Sequence, residues 1–369
     1  MIWHSFLFGG MQTGVPKKRK KKPCGVFGGV NLPPNHTTRI GFFSLACFLY
    51  GTHPRFCDYI AHDFQRTTTI ICRDCLFVIC SYMDNVKAIV LDIDGVIVGE
   101  KIGYNSPHPN NAVMERMTEI SNSGVKIILC TAKPHFAVGQ IISGANLDNP
   151  HITDGGAVLI NPVSNEIIKQ HVADKIETEK LLQMCLDNNV YVEIYTTEYY
   201  IIQKSQVCDI TDKHTHILQC EPKIVKDLIA TAKIENVTKI MPVVNGEREK
   251  ANFIKLFQEL KNTLNLAWGI HPIALPYLFG VITASGISKN QGMLDILTSI
   301  GVSKENTLAV GDSTSDWGYM QNCKYVATMK NASQELKELV ATKGKDNFVI
   351  GGHVDENGVL AIFDQVNKK

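Results

Sequence analysis

The stretch Lys87-Ala-Ile-Val-Leu-Asp-Ile-Asp-Gly-Val-Ile-Val98 decides the fold. Ala88 to Leu91 is a continuous apolar run, the pattern of a strand covered on both faces of a sheet. Asp92 and Asp94 follow two residues apart, so on a chain that stays extended they point the same way. Gly95 then lets the backbone turn aside. Ligands of open α/β sheets bind beyond the carboxyl ends of central strands, where this pair would lie. A calcium loop needs Gly at its sixth position and Glu at its twelfth. Counting from Asp92, those positions hold Ile97 and Gly103, which excludes it. Taken alone, the stretch is equally compatible with a solvated acidic turn after a core strand.

Working outward, Asn111–Ser123 carries Val113, Met117 and Ile120 on one helical face, with a cap at Asn110 or Asn111 and a stop at Gly124. Val125–Cys130 reads as a second buried strand, and Thr131 stands at its end, with Pro134 suited to a following first helical turn. A third short strand ends at Asp154-Gly155-Gly156. This βαβα order predicts a parallel sheet with right-handed crossovers. From about residue 158 to 279 the pattern becomes mixed, with strand-like 190–203 and 237–244 and helix-like 221–233 and 246–262. These segments predict an inserted α+β unit. His214 and His216 have ligand-like spacing, but no further ligand stands near, and a surface strand is the expectation.

The parallel pattern resumes after residue 280. A strand at Phe279–Ser285 leads through Gly286-Ile-Ser-Lys289 into a helix to Ile300, and Thr307–Gly311 is a core strand running into Asp312-Ser-Thr-Ser-Asp316. Further strand, helix and terminal-helix signals lie at Tyr325–Thr328, Gln334–Thr342 and Val359–Val366. The expected domains are therefore 83–157 with 280–369 as core, and 158–279 as insert.

Residues 1–82 differ from the rest. They hold 10 Lys and Arg against 3 Asp and no Glu, a net +7 that leaves −6 for the remainder, and 6 of the 11 cysteines. Pro16–Pro23 is a basic run that suits a solvated tail better than an address. Ile40–Leu49 is about half the length needed to span a bilayer. Cys72-x-x-Cys75 is half a zinc site without its partner pair. The expectation is that the native chain begins at Met83 and that this head is poorly structured or an over-extended reading frame; mass spectrometry of the native N-terminus tests it. With a total net charge of +1, nothing calls for nucleic acid or a membrane as partner. The cysteine usage of the body suits a reducing cytosol.

Four polar clusters, Asp92/Asp94, Thr131, Lys289 and Asp312/Asp316, fall at strand or helix ends of one sheet. Gathered at one edge, like-signed carboxylates repel unless a cation joins them. A hard divalent ion such as Mg²⁺ accepts one or two carboxylates plus substrate phosphate oxygens. Lys289 and the Thr131 hydroxyl would hold the remaining phosphate oxygens. Those parts make a phosphoryl-transfer site.

In order and separation these motifs, DxDG, a strand-terminal Thr, G-I-S-K and GDxxxD, resemble the haloacid dehalogenase-like (HAD) hydrolases, and the insert resembles the cap of their Cof-type branch, subfamily IIB. Asp154-Gly-Gly-Ala157 and Met329-Lys-Asn-Ala332 extend the likeness over residues 86–367. The resemblance implies a Rossmann-like α/β core with an inserted α+β cap. It implies Asp92 as nucleophile of an aspartyl-phosphate, and Asp94 as acid and then base, with a carboxyl raised or shared in pKa. It further implies Thr131 and Lys289 as phosphate ligands, and Mg²⁺ held by Asp92, Asp312 and the Asp94 carbonyl. Asp316 would hold Lys289 or a metal-bound water. Val96, Ala132-Lys133 and Ser315 depart from the usual Thr, Gly-Arg and Asn; Ser315 alters the surroundings of the site, not its carboxylates. The expected activity is phosphatase action on a small phosphorylated metabolite, a sugar phosphate favoured. A phosphomutase would yield isomer in place of inorganic phosphate. A non-catalytic phosphometabolite-binding protein would not need the second carboxylate. Oligomeric state is not encoded in any motif.

Overall fold

The computed structural model describes Ile60–Phe64, Thr67–Ile71 and Met83–Val366 apart from residue 165. The basic run, the Ile40–Leu49 segment and the Cys72/Cys75 pair lie outside those residues. Ile60–Phe64 and Thr67–Ile71 form an antiparallel hairpin, in a region where no strand period was expected.

The body begins with β1 (Ala88–Leu91), α1 (Asn111–Asn122) and β2 (Lys126–Leu129). The Asn110 side chain accepts the Ala112 N–H and so caps α1, whose buried face is Val113, Met117 and Ile120, as the spacing predicts. A short helix α2 (Gly139–Gly144) leads to an antiparallel trio, β3 (His151–Thr153), β4 (Val158–Asn161) and β5 (Glu166–Gln170). The inserted unit then runs α3 (Lys175–Asp187), β6 (Tyr191–Tyr195), β7 (Tyr200–Gln203), α4 (Asp209–Leu218), β8 (Lys223–Val225), α5 (Leu228–Ile234), β9 (Lys239–Asn245), α6 (Gly246–Phe257), β10 (Leu264–Ile270) and β11 (Tyr277–Ala284). Its strands make one sheet in the order β8-β7-β6-β9-β11-β10, antiparallel except for β8 beside β7. The core is completed by α7 (Lys289–Ser299), β12 (Thr307–Gly311), α8 (Trp317–Met320), β13 (Tyr325–Thr328), α9 (Gln334–Ala341), β14 (Phe348–Ile350) and α10 (Val359–Phe363).

The core sheet has the order β14-β13-β12-β1-β2 and is parallel throughout. In β1, Ile89 and Leu91 enter one apolar cluster and Ala88 and Val90 the other, and all four are fully buried. Covering both faces is why the run is unbroken by polar residues. Each such Ile or Leu contributes roughly 1.5–3 kcal/mol of transfer free energy, which locks the register that carries Asp92 past the sheet edge.

The strand-like run 190–203 is a hairpin of β6 and β7, in which Thr196 turns the chain by accepting the Glu198 and Tyr199 N–H groups. Two expectations in the insert fail locally. Residues 221–233 are a short strand followed by α5, which starts at Asp227, whose carboxylate accepts the Ala230 N–H. His214 and His216 lie on α4, not on a surface strand, and His214 is buried against Glu193. Residue 280 falls within β11, so the antiparallel sheet extends to Ala284. Among the described residues no helix is long and apolar enough to cross a membrane.

Candidate active site

Asp92 leaves the end of β1 beside β12, its N–H donating to the Val310 carbonyl at 3.0 Å. Its Oδ1 accepts the Ile93 N–H at 2.8 Å and its Oδ2 meets Lys289 Nζ at 3.0 Å. Lys289 opens α7, capped by Ser288, whose hydroxyl accepts the Gln291 N–H. The same Nζ donates to Asp316 Oδ1 at 2.8 Å. Asp316 is fully buried, and its Oδ2 accepts the Asp312 N–H, the Ser313 N–H and the Ser313 hydroxyl. Its oxygens are therefore spent on protein donors. The Asp312 carboxylate, by contrast, accepts no hydrogen bond from the described residues, and it packs against Gly95. A Cβ on Gly95 would run into that carboxylate, and the φ of +76° there already favours glycine. Oxygens of Asp92, Asp312 and Asp316 lie within 4.8 Å of one another.

Electrostatics follow from this crowding. Burial raises the Asp92 carboxyl to about 7, against the pull of Lys289 and with a further push from Asp316 and Asp94. Burial, then Asp316 and Asp92, drives Asp312 well above the ordinary carboxylate range. Burial alone would lower Lys289, but Asp316 and Asp92 hold it well above its usual value. Three acids against one lysine leave an excess of negative charge that a divalent cation would neutralise. Asp92 and Asp312 have the free oxygens to bind it, and oxygen-only donors suit a hard ion.

Asp94 faces the other way, into the cap side. Its Oδ1 lies 3.2 Å from Lys133 Nζ and 3.2 Å from His271 Nε2. Burial by itself would raise this carboxyl, yet Lys133 and His271 outweigh it and hold Asp94 well below the usual range. The raised carboxyl expected at Asp94 is thus not what these neighbours produce; the resting group is a carboxylate. Lys133 and His271 escaped the sequence reading as partners of Asp94. Lys133, two residues past Thr131, could have been found from its place after a strand end; His271, following β10, carries no local signal.

Thr131 is buried at the end of β2, its hydroxyl accepting the Lys133 N–H at 3.1 Å, and it is not part of the wall of the site cavity. Ser315 lines that cavity and shares a 2.7 Å hydrogen bond with Ser313. Asn331 secures the Asp94–Gly95 turn, donating to the Gly95 carbonyl at 2.8 Å while accepting the Val354 N–H. The cavity, about 130 Å³, is closed over Asp92, Lys289 and Asp312 by Trp268 and Gly269 of β10 and Val281 and Thr283 of β11.

A parallel sheet whose strand ends present buried acids and a lysine to a cavity roofed by an inserted sheet defines a capped α/β hydrolase. The family model of the haloacid dehalogenase-like hydrolases matches residues 89–362. The chain belongs to that family, in its Cof-type branch. It is 22% identical over 301 residues to the 5-amino-6-(5-phospho-D-ribitylamino)uracil phosphatase YwtE of Bacillus subtilis, covering 76% of this chain and 98% of that one. It is 21% identical over 285 residues to the pyridoxal phosphate phosphatase YbhA of Escherichia coli, covering 76% and 98%. The HAD subclass IIB sugar phosphatase BT4131 shares the fold with a TM-score of 0.61 at 18% identity, covering 76% and 98%. So does a haloacid dehalogenase-like hydrolase from Bacteroides thetaiotaomicron, at 0.62 and 19%, covering 76% and 99%.

Proposed function

We propose that this protein is a Mg²⁺-dependent phosphatase that hydrolyses a small phosphomonoester through an aspartyl-phosphate. The observation that carries this is Lys289 Nζ, held at 3.0 Å from Asp92 and 2.8 Å from Asp316, with the free carboxylate of Asp312 alongside. Asp92 Oδ attacks phosphorus, the P–O bond to the alcohol breaks, and the phosphoryl group rests on Asp92. Lys289 neutralises charge on the phosphoryl oxygens. A divalent ion held by Asp92, Asp312 and the Asp94 carbonyl would add Lewis-acid polarisation of the same oxygens. Thr131, with its hydroxyl committed to the Lys133 N–H, orients this loop in the resting state, and reaches phosphate only if that bond is exchanged.

Asp94 serves both halves. Its ionised resting state suits the second, in which it takes a proton from the water that attacks the aspartyl-phosphate. In the first half it must bring a proton to the departing alcohol oxygen. The negative charge of a bound phosphate beside it favours that protonated form. Lys133 and His271 keep the carboxyl aimed at the cavity in either state.

The substrates named for the relatives above, a ribitylamino-uracil phosphate, pyridoxal phosphate and sugar phosphates, are small phosphorylated metabolites. This class is proposed here too. Five cysteines of the body are free thiols, which supports a reducing, cytosolic location. The test is release of inorganic phosphate from p-nitrophenyl phosphate: Asp92→Asn should abolish it while circular dichroism stays unchanged. Hydrolysis retained by that variant would overturn the mechanism.

A further inference from the structure

On the cap side of Asp94 the phosphate cavity adjoins a second one of about 50 Å³, the two sharing Asp94, Ala132, Gly269, Ile270 and Val281 as walls. A water position takes roughly 10–15 Å³ on this measure, so the space holds about four water-sized groups, the bulk of one six-membered ring. An alcohol whose ester oxygen meets Asp94 would extend into it.

Its lining is apolar and aromatic: Ile217, Leu218, Met241, Phe279 and Val281, with the ring of Tyr195. The polar heads on its wall are already engaged. Lys239 Nζ donates to the Ala132 carbonyl at 2.7 Å and pairs with Asp154. Lys133 Nζ donates to the Ile217 carbonyl at 3.3 Å as well as pairing with Asp94. The Tyr195 hydroxyl donates to Glu193 Oε2 at 2.6 Å, and His214 Nδ1 lies 2.7 Å from the same oxygen. Two buried polar atoms of the lining, Asp94 Oδ1 and His271 Nε2, lie 3.2 Å apart at the mouth. That is the end where the ester oxygen arrives. Beyond it the wall is mostly apolar.

We infer that, granted the phosphatase reading, the alcohol half of the preferred ester is a single planar aromatic or heteroaromatic ring, not a polyhydroxylated sugar ring. A flat ring fills the space, meets the apolar side chains of Ile217, Leu218, Met241, Phe279 and Val281, and brings few polar groups to desolvate. A hexose brings several hydroxyls to a wall that is mostly apolar. An apolar pocket discriminates against one added hydroxyl by roughly 10²-fold at most, so several of them set an overall preference of about 10²-fold or more.

The experiment compares kcat/KM of the Mg²⁺-loaded full chain for benzyl phosphate and glucose 6-phosphate, followed by inorganic phosphate release. Both are esters of primary alcohols, so the leaving groups are chemically matched. Benzyl phosphate should be favoured by about 10²-fold. Met241→Gln, or Leu218→Gln should the first variant not fold, puts an amide into the wall and should narrow the ratio at least about tenfold. Equal or better hydrolysis of glucose 6-phosphate overturns the inference, as does a ratio that neither wall variant moves. So does failure of both esters while p-nitrophenyl phosphate is turned over. If none of the three releases phosphate, the phosphatase reading itself falls, and this inference with it.

Discussion

Replacing Asp92 by Asn tests the charge balance of the site independently of catalysis. In the folded protein Asp92 holds its proton up to about 7, against 3.8 for the unperturbed group. Between those values the folded state binds a proton that the unfolded chain has lost, so wild-type stability falls as pH rises through that window. Asn cannot titrate. In EDTA, the unfolding free energy of Asp92→Asn minus that of wild type should therefore grow by up to about 2–3 kcal/mol from about pH 5 to about pH 7.5, at no more than roughly 1.4 kcal/mol per unit of pH, since Asp312 shares the titration with Asp92. For a body of this size that is a change of at most roughly 3–5 °C in the Tm difference. Loss of the contact with Lys289 shifts the variant by a constant. Histidines whose pKa is lowered by burial, such as His151 at about 3, act in both proteins and cancel. Scanning calorimetry of both proteins at the two pH values reads the quantity directly. Saturating Mg²⁺ should remove the pH dependence, because the ion binds the ionised carboxylate. A difference in EDTA that is flat in pH, or that shrinks as pH rises, refutes this account of the acidic cluster.

Chelation should silence phosphate release and added Mg²⁺ restore it; activity that survives exhaustive EDTA treatment rules out the ion. Gly95→Ala places a Cβ where the Asp312 carboxylate lies, at φ +76°. The left-handed backbone alone costs roughly 1–2 kcal/mol. A lower Tm with kcat reduced at least about tenfold is expected, one 1.4 kcal/mol step of barrier; wild-type kinetics would show that Asp312 has room to spare. Lys289→Met leaves Asp92 and Asp316 without their cation, a loss of about 3–5 kcal/mol by the rule for broken buried pairs. Urea midpoints measure it, and the loss should shrink at low pH as Asp92 becomes neutral in both proteins.

How much of this was legible in the sequence depended on whether the signal was local. The parallel strands announce themselves because burial on both faces leaves runs such as Ala88–Leu91 and 308–311 free of polar residues until the chain leaves the sheet. Polar residues at those exits, Asp92, Asp312 and Asp316, are legible for that reason, whereas Lys289 is read from the Gly286-Ile-Ser-Lys start of a helix. The insert was less legible because its strands carry polar groups inward. Glu193 is fully buried within β6, where alternation alone would expose it or make it apolar, and only the imidazole of His214 and the hydroxyls of Tyr191 and Tyr195 satisfy it. That tertiary demand turns the inner face of α4 toward β6, and no spacing rule for His214 and His216 contains it. Asp227 as a helix start was missed inside the helix-like run 221–233, although an Asp that accepts the N–H three residues on is an ordinary cap.

Asp94 shows where local reading must stop. Motif logic asks for a carboxyl that can carry a proton, and burial alone would supply one. Lys133 from the loop after β2 and His271 from the loop between β10 and β11 reverse the sign. One belongs to the parallel core and the other to the inserted sheet, so the ionisation of Asp94 depends on both being in place. Withdrawing the β10–β11 side would remove one of two neighbours that lower it and would uncover Asp92, Lys289 and Asp312, whose own charged neighbours all come from core segments. The charged partners of the nucleophile thus come from the core, whereas those of Asp94 come from both sides of the seam with the insert. Substitutions along β10 and β11 should accordingly alter alcohol departure and water activation before they alter capture of the phosphate.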